Sequence, residues 1–365
     1  MIHNHNIQNT RIQHLNNNDI RLDANYVLYW MQQSQRAEYN HALEYAVQQA
    51  NDLGLGVVVA FGLTEDYPEA NLRHYTFMLE GLTETQDLLE KRGIQLVVRR
   101  GSPPDVVLEL EQDAAMVICD RGYLKHQRIW RDKVARKSAC RVVQIESDVI
   151  VPLETVSLKA EYAARTIRPK IQTHLNDYLI KLKPVKVRRS TINISFDSLD
   201  LKESKDILAS LNIDRSVPAV TRFFKGGSSQ AKKVFDNFIR LRLKNYEKNH
   251  NQPQTDDISY ISMYLHFGQI SPLYLALKVN QTNQHLDSAK SAFLEELIVR
   301  RELAANFVYY NQKYDNFDCL PDWARNTLFD HRKDRRPYTY KRKQFEDAMT
   351  HDPYWNAAMQ EMTHT

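Results

Sequence analysis

The stretch Tyr26-Val27-Leu28-Tyr29-Trp30 is a short apolar run bounded by polar residues, and residues 57–61, 94–98, 116–119 and 142–145 repeat it downstream. A run of this length fits a strand buried on both faces. Between these runs, residues 37–51, 71–92, 104–112 and 125–138 are longer and read as helices. Such alternation is the pattern of a parallel sheet whose crossover helices cover both faces. The reading predicts a doubly wound, five-stranded parallel α/β domain over residues 26–151.

An α/β domain that binds a dinucleotide in the usual way carries G-x-G-x-x-G after its first strand, because only glycine lets the backbone approach a pyrophosphate closely. Here that strand runs into Met31-Gln32-Gln33-Ser34-Gln35-Arg36. Gly54-Leu55-Gly56 precedes a strand instead of following one, and the chain contains no G-x-x-x-x-G-K-[ST]. Ordinary nicotinamide and P-loop chemistry are therefore not expected.

With 365 residues, 42% of them apolar, the chain is long enough for two globular domains. Its three cysteines, Cys119, Cys140 and Cys319, have neither pairing nor metal-ligand spacing, so no metal site is expected and a reduced, cytoplasmic protein is. Residues 1–25 are rich in Asn, Gln and His and read as irregular or disordered, without the apolar core of a signal peptide. No run reaches transmembrane length. The formal net charge of +4 conceals clusters of basic residues at 181–189, 240–248, 331–336 and 341–343. Several such clusters in one half of a chain predict a phosphate-binding face.

Residues 152–220 read as a long interdomain connection with prolines and a helical patch at 202–211. From 221 to 365 everything reads as helix: 230–246, 272–279, 289–310, 321–328, 340–349 and 354 onward. Two helix starts, Gly226-Gly227-Ser228-Ser229 and Ser271-Pro272, have the composition of caps and could also receive an anion. The most informative helix contains Phe293-Leu294-Glu295-Glu296-Leu297-Ile298-Val299-Arg300-Arg301-Glu302-Leu303. Glu296 and Arg300 stand four apart, a spacing at which they share a site or form an ion pair, and Arg301 falls within the apolar stripe.

The run Glu296-Leu297-Ile298-Val299-Arg300-Arg301-Glu302-Leu303 resembles a signature of class II cyclobutane pyrimidine dimer DNA photolyases, within the photolyase/cryptochrome family. Glu161-Tyr162-Ala163-Ala164-Arg165-Thr166-Ile167-Arg168-Pro169-Lys170, Tyr264-Leu265-His266-Phe267-Gly268-Gln269-Ile270-Ser271 and His351-Asp352-Pro353 carry the same resemblance in the same order. It implies an antenna-type α/β domain and an all-α domain, here 221–365, that holds FAD. It also implies light-driven repair of pyrimidine dimers in DNA by electron transfer from the reduced, anionic flavin.

Carried over by position, the resemblance makes Glu296 the hydrogen-bond donor to the pyrimidine carbonyls, protonated in a low-dielectric pocket, and sets Arg300 against the flavin. Tyr246, Ser259 and Ser262 fall in the FAD-binding segment, although Ile258 and Met263 depart from its usual pattern. Trp355 matches a member of the tryptophan path that photoreduces the flavin. The family continues past the point where this chain ends, so a C-terminal truncation is expected to bear on activity. The antenna chromophore is left unassigned, a monomer is expected, and a light sensor or an inactive remnant of the same fold stays open.

Overall fold

The computed structural model describes residues 7–282 and 284–365, apart from the side chain of Gln284. The N-terminal half is a sheet of β1 (Ile12–His14), β2 (Tyr26–Trp30), β3 (Gly56–Leu63), β4 (Gln95–Arg100), β5 (Ala114–Asp120) and β6 (Arg141–Ile145). Its order is β1-β6-β5-β2-β3-β4. All pairings are parallel except β1 with β6, where Ile12 lies opposite Ile145 and His14 opposite Val143. The helices α1 (His41–Leu53), α2 (Leu72–Glu90), α3 (Pro103–Leu110) and α4 (Lys125–Lys137) connect the parallel strands. Every residue of β2, β3 and β5 is buried, which explains why these strands read as continuous apolar runs.

The sheet thus has six strands instead of five, and the sixth comes from the N-terminal segment expected to be irregular. The Ile12-Gln13-His14 edge strand lacks apolar alternation, and its attachment is polar. The buried Arg11 guanidinium donates to the carbonyls of Glu146 (2.9 Å), Val149 (3.1 Å) and Ile150 (2.6 Å).

The connection 152–220 is more structured than its composition suggests. It contains α5 (Leu153–Val156), α6 (Ala164–Tyr178) and α7 (Ser204–Ser210), the last lying in the expected helical patch. Pro169 sits inside α6, where it removes one helical donor. The helix survives because Ala164, Ile167, Ile171 and Tyr178 form one buried stripe, and tertiary packing outweighs local propensity.

The helical half comprises α8 (Ser228–Leu241), α9 (Leu243–Asn249), α10 (Ser262–His266), α11 (Pro272–Asn280) and α12 (Asp287–Leu294). A π-helical segment (Glu295–Arg300) then leads into α13 (Arg301–Tyr310), followed by α14 (Asp322–Asp330), α15 (Arg342–Glu346) and α16 (Pro353–His364). No residue from Phe307 onward is buried. Arg73 of α2 tethers the far end of α16 by donating to the carbonyls of Met362 (2.8 Å) and Thr363 (3.0 Å).

The two halves meet at Gly268, whose φ is +64° and whose added Cβ would lie 1.8 Å from the Gln33 carbonyl oxygen. The buried Arg36 Nη1 closes the seam, reaching Asp148 at 2.8 Å and the Gly268 carbonyl at 2.9 Å.

Candidate functional site

The loop after β2 and the two helix starts that sequence composition marked for anions are all occupied by the protein's own groups. In the loop after β2, the amides of Gln32 (2.9 Å), Gln33 (2.9 Å) and Ser34 (2.8 Å) all donate to Asp120 Oδ2. A carboxylate from β5 therefore stands in the concavity where a nucleotide phosphate would otherwise bind. At the start of α8, Glu80 accepts from Gly226 N (2.7 Å) and Glu84 from Ser229 N (2.8 Å). Ser271 is buried and caps α11 through Leu273 N at 3.2 Å. All three are structural.

The basic clusters also separate. Residues 181–189 run along α1 of the α/β half: Asn51 accepts from Arg188 N (3.0 Å), and Arg189 donates to the Gly54 carbonyl (3.2 Å). The expected single phosphate-binding face thus loses one cluster. Residues 331–336 and 341–343 stay exposed in the helical half.

Tyr246, Ser259, Ser262, Glu296 and Arg300 all lie in that half. Tyr246 is buried on α9, stacked on His250 and packed edge-on against Phe238 and Phe293, the last residue but one of α12. Burial first, and the nearby Glu296 carboxylate second, push its hydroxyl up to about 12. Tyr246 and Glu296 are thus electrostatic neighbours.

Ser259 and Ser262 flank Tyr260, whose φ of +53° is left-handed. The ring of Tyr260 lies under the Arg242 guanidinium at 5.3 Å, and Arg242 pairs with Asp256 at 2.7 Å. The hydroxyls of Ser259 and Ser262 make no hydrogen bond to another described residue, so both are available to an external acceptor. This donor set of hydroxyls, a nearby guanidinium and the amides of a helical first turn suits a diphosphate. Asp257 ties the segment to α9 through Asn245 (3.2 Å) and Asn249 (2.5 Å).

Glu296 and Arg300 do not form a pair. A π-turn advances more residues per turn than an α-turn, so it brings i and i+5 together. Arg300 Nε accordingly donates to Glu295 Oε1 at 3.2 Å, and Arg168 of α6 grips the same carboxylate at 2.7 and 3.0 Å. Glu296 is exposed and makes no ion pair with a described residue, so the described chain does not form the low-dielectric pocket expected around it. Arg301 leaves the apolar stripe by donating to the Asp148 carbonyl. The next residue, Glu302, is 3% exposed and accepts from Ile150 N (2.5 Å) and Val151 N (3.3 Å). Asn306 accepts from Glu161 N at 2.7 Å, so α13 is bolted to the connection along one face.

Trp355 stands apart. It is 44% exposed, packs edge-on against Phe345 and donates Nε1–H to the Phe345 carbonyl at 3.1 Å. Trp323 is 74% exposed on α14.

Sequence reasoning missed a cavity of about 660 Å³ at the C-terminal ends of the parallel strands, lined among others by Gln32, Tyr67, His126 and Trp130. None of Tyr246, Ser259, Ser262, Glu296, Arg300 and Trp355 lines it. Both amide atoms of Gln32 and Nε2 of His126 are buried there without a hydrogen-bond partner among the described residues. Crevices at the carboxyl ends of parallel strands are where ligands bind in open α/β sheets. No sequence motif signals this one, because its lining is gathered from six separate stretches of the chain.

The sheet order and the helical half define a photolyase-type architecture. The fold matches a bacterial class III photolyase from Agrobacterium tumefaciens with TM-score 0.68 at 18% identity, covering 94% of this chain and 70% of that one. It also matches an archaeal photolyase from Sulfolobus tokodaii, solved with two FAD molecules, with TM-score 0.65 at 16% identity, covering 93% of this chain and 71% of that one. The family model for DNA photolyase matches residues 27–188. Deoxyribodipyrimidine photo-lyase of Methanothermobacter thermautotrophicus is 46% identical over 362 residues, which cover 97% of this chain and 77% of that protein. The chain belongs to the DNA photolyase family.

Proposed function

We propose that this protein is a light-driven lyase that splits cyclobutane pyrimidine dimers in DNA, of the class II kind, with FAD held in its helical half. The observation that carries the reading is the 46% identity to a deoxyribodipyrimidine photo-lyase along nearly the whole chain. The exposed Glu296 and Arg300, on one segment beside the buried Tyr246, support it. When bound and reduced, the flavin supplies the electron that opens the cyclobutane ring and takes it back afterwards.

The chain's own part is to bind, orient and hold a proton. Ser259, Ser262 and the amides around them would hold the diphosphate, and Tyr246 would form an apolar wall. The Nη atoms of Arg300, which make no bond to a described residue, would present positive charge to a bound flavin and favour its anionic state. A dimer inside a duplex must leave the stack to reach Glu296, and a damaged step flips out at lower cost than an intact one. The flipped lesion covers Glu296, removes water from it and favours its protonated form, which donates to a pyrimidine carbonyl as negative charge develops there. The exposed basic residues of 331–336 and 341–343 would engage backbone phosphates. Trp355 would relay electrons to the flavin.

The cavity at the strand ends suits an antenna chromophore. Tyr67 and Trp130 offer aromatic faces, while the partnerless Gln32 amide and His126 ring nitrogen offer hydrogen bonds to a flat polar heterocycle.

The test is the visible spectrum of the purified chain after incubation with FAD, followed by blue-light repair of a thymine dimer in a short oligonucleotide. Stoichiometric bound flavin with repair is the expected result. A chain that binds no flavin, or that binds it and repairs nothing, overturns the assignment.

A further inference from the structure

The adjacent carboxylates Glu295 and Glu296 are used in opposite ways. Glu295 Oε1 accepts from Arg168 Nη2 (2.7 Å) and Arg300 Nε (3.2 Å), and its Oε2 accepts from Arg168 Nε (3.0 Å). The Arg168 and Arg300 guanidinium groups hold Glu295 below the usual carboxylate range. Glu296, one residue on, has no ion pair with a described residue. A carboxylate beside a guanidinium stays ionised and can only accept, whereas one without a cationic partner can take up a proton when its surroundings dry out.

The backbone makes the division. In an α-helix Arg300 would reach back four residues to Glu296, but the π-turn brings it to Glu295. Among the other cations on elements packed against this segment, Lys278 of α11 pairs with Asp236, Lys290 of α12 with the Thr282 carbonyl and Asp287, Lys170 of α6 with Glu161, and Arg301 of α13 with the Asp148 carbonyl, while Arg165 of α6 is exposed and makes no ion pair with a described residue. Tyr246 of α9 interacts electrostatically with Glu296, and the Arg168–Glu295–Arg300 triad is centred on the adjacent residue of the same segment.

We infer that Glu295 is a positioning residue, which draws off the guanidinium groups of Arg168 and Arg300 and so leaves Glu296 free to be protonated against the lesion. This rests on the donor role assigned to Glu296 above. Without Glu295, both arginines turn to the next carboxylate along and keep it ionised.

The experiment compares Glu295→Gln, Glu295→Gln with Arg168→Gln, and Glu296→Gln with the unmodified chain. The midpoint of Glu296 is read in flavin-free protein from the infrared carboxyl band that Glu296→Gln removes, and dimer repair by the FAD-loaded proteins is followed against pH. In Glu295→Gln, the midpoint and the alkaline limb of the repair profile are expected to move down by about one pH unit, a tenfold change in the protonated fraction above the midpoint. Adding Arg168→Gln should recover most of that shift. An unmoved midpoint in Glu295→Gln, or a double variant no different from it, overturns the inference. Full repair by Glu296→Ala, which leaves no side-chain donor, with the infrared midpoint still shifting in Glu295→Gln, would instead show that the donor assignment is wrong while the division between the two carboxylates is real.

Discussion

At the scale of single residues, the candidate site combines groups that the sequence marks and relations that it does not. Glu296 and Arg300 are visible in a motif, and their spacing suggests mutual pairing. Their actual relation depends on a local π-turn, for which apolar periodicity gives no sign, because Leu297, Ile298 and Val299 are all buried whichever helix type carries them. Glu295 was legible only as the residue next to Glu296, and Arg168 only as part of a distant run. Truncating Glu296 tests the site without disturbing the fold. Because its side chain is exposed and makes no ion pair with a described residue, Glu296→Ala should leave stability within about 0.5 kcal/mol of the parent by urea unfolding. It should lower dimer repair about 10²-fold, the usual cost of losing one preorganised donor. Equal repair rates would remove Glu296 from the mechanism.

At the scale of elements, α13 is where the helical half is fastened to the sheet, and Glu302 is its buried fastener. Burial is the largest influence on its carboxyl and pushes it up to about 8, against the opposing pull of the Ile150 and Val151 N–H groups and of Arg301. The folded pKa therefore lies above the unfolded one, and the fold favours the protonated form. The contribution is fully present below about pH 4.5 and is lost as pH rises through about 8. Glu302→Gln keeps an acceptor for both amides and cannot ionise. Its melting temperature should fall less between about pH 5 and pH 8.5 than that of the parent. Glu302→Ala should cost about 1–3 kcal/mol at neutral pH, because two buried N–H groups lose their acceptor. Parallel pH profiles for the parent and Glu302→Gln would show that Glu302 titrates normally.

Across the whole molecule, the seam between the halves depends on a close backbone approach at Gly268. A side chain there meets the Gln33 carbonyl within bonding distance and must also adopt a left-handed backbone. Gly268→Ala should lose about 1–3 kcal/mol from overpacking and about 1–2 kcal/mol more from the backbone conformation. Urea unfolding should show the loss and, once the seam opens, separate transitions for the two halves. A single transition at the parental midpoint would mean that the seam adjusts freely. Arg36 and Asp148 close the same seam, and their pairing across 112 residues could not be read from either local sequence.

The sequence by itself determined the alternation of strand and helix in the first half, the helical character of the second, and the absence of the usual glycine loop after β2. These follow from local periodicity and from backbone requirements that only certain residues meet. The tertiary structure alone decided the rest. It added β1 to the sheet through a buried arginine, kept α6 helical through Pro169, filled the loop after β2 with Asp120, and gathered the cavity lining from six stretches of the chain. It also gave Arg300 to Glu295 instead of Glu296. In each case the deciding contact joins groups distant in the chain or depends on one turn of backbone geometry, and neither is encoded in the spacing of apolar residues.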